Sequence, residues 1–105
     1  GINHFTLIGE TPVRAESFDL FLDLLRSQKG PDLLRVKGLL ALSDDPSAPV
    51  VIHAVQHILH PVQRLAHWPD GDHRSRLVFI VRDIAPDFVA RLWDAFNGAG
   101  TAQMA

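Results

Sequence analysis

Three apolar runs of strand length organise the middle of this 105-residue chain. In residues 33–42, Arg35 and Lys37 alternate with Leu34 and Val36 ahead of Gly38. Residues 49–57 run from Pro49 through Val50, Val51 and Ile52 to His57. In residues 76–82, Arg76 and Arg82 bracket Leu77-Val78-Phe79-Ile80-Val81. Aliphatic and β-branched runs of this length, bounded by turn formers, predict strands. A shorter run over residues 4–9, apolar at Phe5 and Leu7 and closed by Gly9, predicts one more at the start. After Thr11-Pro12 the period changes. Phe18, Phe21, Leu22 and Leu25 fall on one face of a helix over about residues 15–28, with Glu16, Asp19, Asp23 and Arg26 on the other. Lys29-Gly30-Pro31 is a helix stop, read as a cation in the last turn and a glycine able to take positive φ. Pro86 suits the first turn of a closing helix in which Phe88, Val89, Leu92, Trp93 and Phe96 form the apolar stripe and Asn97-Gly98 the end.

The turn-rich segment Ser43 to Pro49 predicts an antiparallel hairpin between the second and third strands. Residues 60–74, with two prolines and Asp70-Gly71-Asp72, are the least regular part, and a frayed tail is expected from about residue 99. The order strand, helix, three strands, helix predicts a single α+β domain over residues 1–105. It has two layers: a four-stranded, mainly antiparallel sheet with both helices on one face.

Alternation across each strand then assigns two faces. Leu34, Val36, Gly38, Leu40 and Leu42 face the helices, as do Val50, Ile52, Ala54, Gln56 and Ile58 in the third strand and Leu77, Phe79 and Val81 in the fourth. The uncovered face is left with Leu33 and Leu39 and with Arg35, Lys37, His53, His57, Arg76 and Arg82 among Val51, Val55, Val78 and Ile80. Two readings fit that face. It is a half-solvated surface whose charges keep the domain soluble, or a docking surface of apolar residues set among arginines. Gly38 inside its strand marks a bulge or a close approach of backbone. Trp68 either plugs an edge of the core or presents at an interface.

Composition narrows the function classes. A formal net charge of −2 argues against nucleic acid as a ligand. No apolar run approaches the ~20 residues of a membrane span, and there is no signal-peptide pattern, so a cytoplasmic address without a membrane partner is expected. Without cysteine there is neither a disulfide nor a thiolate metal site. No phosphate-binding Gly-x-x-x-x-Gly-Lys motif occurs, and no serine has a nucleophile's context. The chain starts at Gly1 rather than Met and reads as a piece of a longer protein.

In order and spacing, Leu33-Leu34-Arg35-Val36-Lys37-Gly38, Val55-Gln56-His57 and Arg76-Leu77-Val78-Phe79-Ile80 resemble the C-terminal domain of the CobW-like proteins. Those are P-loop GTPases associated with cobalamin synthesis and metal delivery, and the resemblance extends over about residues 5–96. It implies a two-layer α+β domain with no catalytic residues of its own, preceded in its chain by a GTPase domain. The implied role is to couple the nucleotide state of that domain to a metal-requiring client protein or to self-association.

Six histidines raise an alternative, a stand-alone histidine-based metal-binding domain. His53 and His57 would lie about 13 Å apart along one strand and could not share an ion. His57 and His60 could converge across a turn, and His67 and His73 could add ligands for a divalent ion such as zinc or cobalt. The plainer reading is that these are surface histidines.

Overall fold

The computed structural model describes all residues, 1–105. Its elements are β1 (Ile2–Gly9), α1 (Ala15–Lys29), a single 3₁₀ turn (Gly30–Asp32), β2 (Leu33–Leu40), β3 (Val50–Val55), β4 (Ile58–Leu59), β5 (Gln63–Arg64), β6 (Ser75–Arg82), α2 (Pro86–Asn97) and β7 (Ala102–Met104). All paired strands are antiparallel, in the order β4-β3-β2-β6-β1-β7, with β5 also on β3. Both helices pack on one face. Phe18, Phe21, Leu22 and Leu25 of α1 and Val89 and Trp93 of α2 share a single core with Leu7, Val36, Leu40, Ile52, Leu77 and Phe79. This is the two-layer α+β arrangement that the periodicities predict, and Val36 and Leu40 point inward as expected.

The sheet has seven strands rather than four. The additions are short and are held by their neighbours. β4 and β5 lie end to end along β3, Ala54 opposite Leu59 and Val51 opposite Gln63. β7 forms where a frayed tail is expected. Gly98 and Gly100, both at positive φ, turn the chain back. Asp94 then accepts hydrogen bonds from the backbone N–H of Gly100 and Ala102, and Ala102 and Met104 close over the core beside β1.

Two local geometries also depart from the alternation. β2 carries one extra residue opposite β6: Leu33 pairs with Val81 and Arg35 with the adjacent Ile80. Such a bulge reverses the facing of everything before it. Leu33, expected on the outer face, is therefore 1% exposed in the core, while Leu34 is only half-buried. Helix α1 ends without the left-handed glycine expected at Gly30, which stays helical (φ −48°) and leads into the 3₁₀ turn.

The irregular segment 60–74 is fixed by side chains. Arg64 grips Asp44 with two bonds of 3.0 Å and also donates to the carbonyls of Asp45 and Ala48. The pair holds the Asp44 carboxyl below its usual range. Arg74 joins Glu10 to Asp72, whose carboxyl is lowered to about 2, chiefly by Arg74. Trp68 is buried outside the main core cluster, packed against the 44–49 turn, where it donates its indole N–H to the Pro46 carbonyl at 2.7 Å.

Candidate functional site: the open sheet face

Antiparallel register aligns the outward side chains into rows across the sheet. One row runs Val55, Arg35, Ile80, His4; the next His53, Lys37, Val78, Thr6; the next Val51, Leu39, Arg76, Ile8. Arg35 and Lys37 thus sit at alternate positions of β2, Arg35 between Val55 and Ile80 and Lys37 between His53 and Val78. Val55 and Val78 are 39% and 41% exposed, well above the inner-face residues that alternate with them. Gly38 has no side chain, and a shallow depression opens there between Arg35, Lys37, Val78 and Ile80.

The cations divide into two kinds. Arg76 pairs with Asp70 at 3.0 Å and also lies 5.7 Å from the centre of the Trp68 ring, and Arg82 faces Asp32 at 3.8 Å. Arg35 and Lys37, in the middle of the face, take part in none of the chain's ion pairs. Arg35 Nη2 reaches His53 Nε2 at 3.2 Å, and its Nε is buried without a partner.

Five of the six residues assigned to this face from the sequence lie on it: Arg35, Lys37, His53, Arg76 and Arg82. His57 does not. β3 ends at Val55, where Gln56 takes a left-handed conformation (φ 52°) and a two-residue turn brings Ile58 back opposite Val55. His57 stands on that turn, at the end of the sheet, where its carbonyl accepts a bond from Arg26. The same reversal leaves Ile58, expected toward the helices, 58% exposed. An apolar pair spaced by two residues, Val55 and Ile58, is the signal that could have revealed the hairpin.

The four histidines considered as metal ligands are not brought together. His57 is on the turn, His67 is exposed, and His73 stacks on Trp68 at 5.5 Å. His60 instead stacks on His53, ring centres 4.5 Å apart, because β4 returns along β3. Nowhere do three His, Asp or Glu side chains group closely enough to hold an ion.

His53 is half-buried beside three cationic or ionisable neighbours. Burial, then His60, Arg35 and Lys37, lower its pKa from the ordinary 6.5. Because the folded pKa lies below the unfolded one, folding favours the neutral ring. That contribution is complete above about pH 6.5 and is lost as pH falls through the folded pKa. An NMR titration of the ring protons should place the His53 midpoint below 6.5, and Lys37→Glu should move it upward. A His53 midpoint at or above 6.5 would contradict the geometry of this row.

An antiparallel sheet with helices on one side and a cationic, apolar face left open defines a two-layer α+β domain. The profile described as the cobalamin synthesis protein cobW C-terminal domain matches residues 2–97, and the chain belongs to that family. A search of curated protein sequences gave no significant match. Among solved structures the chain is similar to the Zn(II)-bound YjiA GTPase from E. coli, with a TM-score of 0.78, 20% identity and 91% of this chain covered. A Zn(II)-bound triple mutant of YjiA GTPase gives a TM-score of 0.79, also at 20% identity. The chain spans 30% of the length of those structures. No helix is long and apolar enough to cross a membrane.

Proposed function

We propose that this domain is the non-catalytic interaction module of a CobW-like GTPase, docking through its open sheet face onto the GTPase domain of the same chain. In that role it links nucleotide state to delivery of a metal to a client protein, in cobalamin synthesis or a related metal-handling step. One observation carries the reading: Arg35 and Lys37 stand outside any ion pair among Val55, Val78 and Ile80 at the centre of a sheet face that neither helix covers. Two cations outside any ion pair, beside exposed valines, are poorly explained by solubility alone, which needs charge but not the apolar residues between. Like charge also opposes pairing this face with a second copy of itself, which favours a partner presenting carboxylates. The absence of a phosphate-binding loop motif supports assigning nucleotide chemistry to the other domain.

The test is the double charge reversal Arg35→Glu, Lys37→Glu. In this domain alone it should leave the fold intact at a cost of about 1 kcal/mol, the size of the Arg35–His53 hydrogen bond that it removes. In the full-length protein it should change the GTP turnover rate about threefold or more, since removing complementary charge weakens a docked interface. It should also increase protease cleavage at the domain junction. A full-length double mutant unchanged in turnover and in protease sensitivity would leave the face with solubility as its only role.

A further inference from the structure

We infer a second docking site, a crevice between α1 and the β3–β5 edge that receives an apolar side chain from a partner segment carrying basic residues beside it. The sheet is wider than its helix layer. α1 packs over β2 and α2 lies against β7, and Phe18 of α1 shares the core with Val50, Ile52 and Ala54 on the inner side of β3. Beyond β3, residues 59–64 border that side of the sheet without closing it against α1. A crevice of about 310 Å³ remains, floored by Leu40, Val50 and Ile52 and walled by Phe18, Leu59 and Val62. Val62 is 55% exposed although it forms part of the wall. A concave apolar site of this size, with few polar groups at its mouth, is the usual form of a recognition pocket.

The mouth decides what enters. Two charged side chains line it, Asp19 on α1 and Arg64 on β5. Arg64 is neutralised by its two-bonded contact with Asp44. Asp19 is in none of the chain's ion pairs, and Asp23 follows it one turn along the helix, also unpaired. The uncompensated charge at the mouth is therefore negative, and an apolar anchor flanked by lysine or arginine is the complementary occupant. The open sheet face has the opposite preference, so the two surfaces select different partners.

The test uses two N-acetylated, C-amidated tetrapeptides, Lys-Leu-Leu-Lys and Glu-Leu-Leu-Glu, titrated into this domain and followed by methyl NMR. The basic peptide should shift the methyls of Leu40, Leu59 and Val62 and saturate below about 10 mM, the range of a single-anchor contact. Ala15→Trp, at an exposed position lining the crevice, should fill it and weaken binding at least about tenfold, as loss of a buried anchor's contact does. Asp19→Lys, also exposed, should weaken the basic peptide about threefold, in line with an exposed ion pair, and reverse the preference toward the acidic one. Because Asp19→Lys alters only the charge at the mouth and none of the apolar lining, it reads the charge preference even if Ala15→Trp perturbs the fold. No methyl shifts up to that concentration, equal response to both peptides, or shifts confined to Val78 and Ile80 would each overturn the inference.

Discussion

Replacing Gly38 by alanine should destabilise the domain by about 3 kcal/mol, at the upper end of what overpacking and backbone clashes usually cost. A Cβ built on Gly38 would lie 1.9 Å from the carbonyl oxygen of Arg76 and 2.9 Å from its carbon. Neither atom can move aside freely. Arg76 belongs to β6, which is paired on both sides, with β1 and with β2, so shifting its carbonyl disturbs two ladders at once. For a domain whose total stability is on the order of 5–15 kcal/mol, the loss is a large fraction. It should lower the thermal midpoint by roughly 15 °C at this size. Circular dichroism melts of Gly38→Ala against Gly71→Ala would measure it. A Cβ at Gly71 meets nothing within 4 Å, so that control should stay within about 0.5 kcal/mol of the parent. Equal midpoints for the two variants would mean that β2 does not approach Arg76 as described. The consequence reaches the open face, because the bare backbone at Gly38 also forms part of the depression between Arg35 and Lys37.

That glycine was legible in the sequence as a close approach, and so were the long strands, both helices and the layer they form. The reason is physical: each long element carries its own period and needs no information from its neighbours. The short strands do not. β4 and β5 have two residues each, too few to show alternation, and they exist because β3 offers an unpaired edge. The bulge before Arg35 was hidden for another reason. Leu33 and Leu34 are chemically the same, so nothing in the sequence says which faces inward. The open face survived these errors because its residues lie beyond the bulge and before the turn. His57 was misplaced because Gln56-His57 lacks the Asn-Gly or Asp-Gly signature of a two-residue hairpin turn. The same unseen turn brings His60 back onto His53, away from His57, and so parts the two histidines expected to converge.

Trp93 is the side chain on which the two layers most depend, and Trp93→Ala should cost about 4 kcal/mol, within the range for large aromatic truncations in a core. The ring is 0% exposed and meets Phe21 edge-on at 5.2 Å and Phe18 at 6.3 Å, so it joins α2 to α1. It also fills the space that Gly9 leaves on β1, where an added Cβ would sit 3.0 Å from the indole. The sheet is therefore shaped to this one side chain, and the cavity left by alanine could not collapse without moving β1 toward α2. The indole N–H, however, is buried without a hydrogen-bond partner. An unpaired buried donor costs about 1–3 kcal/mol, and phenylalanine does not carry it. Trp93→Phe should accordingly cost much less than the loss of ring volume suggests, about 1 kcal/mol or below. Urea denaturation of the two variants separates volume from polarity. If Trp93→Phe proved nearly as destabilising as Trp93→Ala, the indole N–H would have to be satisfied in solution, by water or by a backbone carbonyl, and the packing of α2 on β1 would need to be looser than the 3.0 Å approach at Gly9 requires.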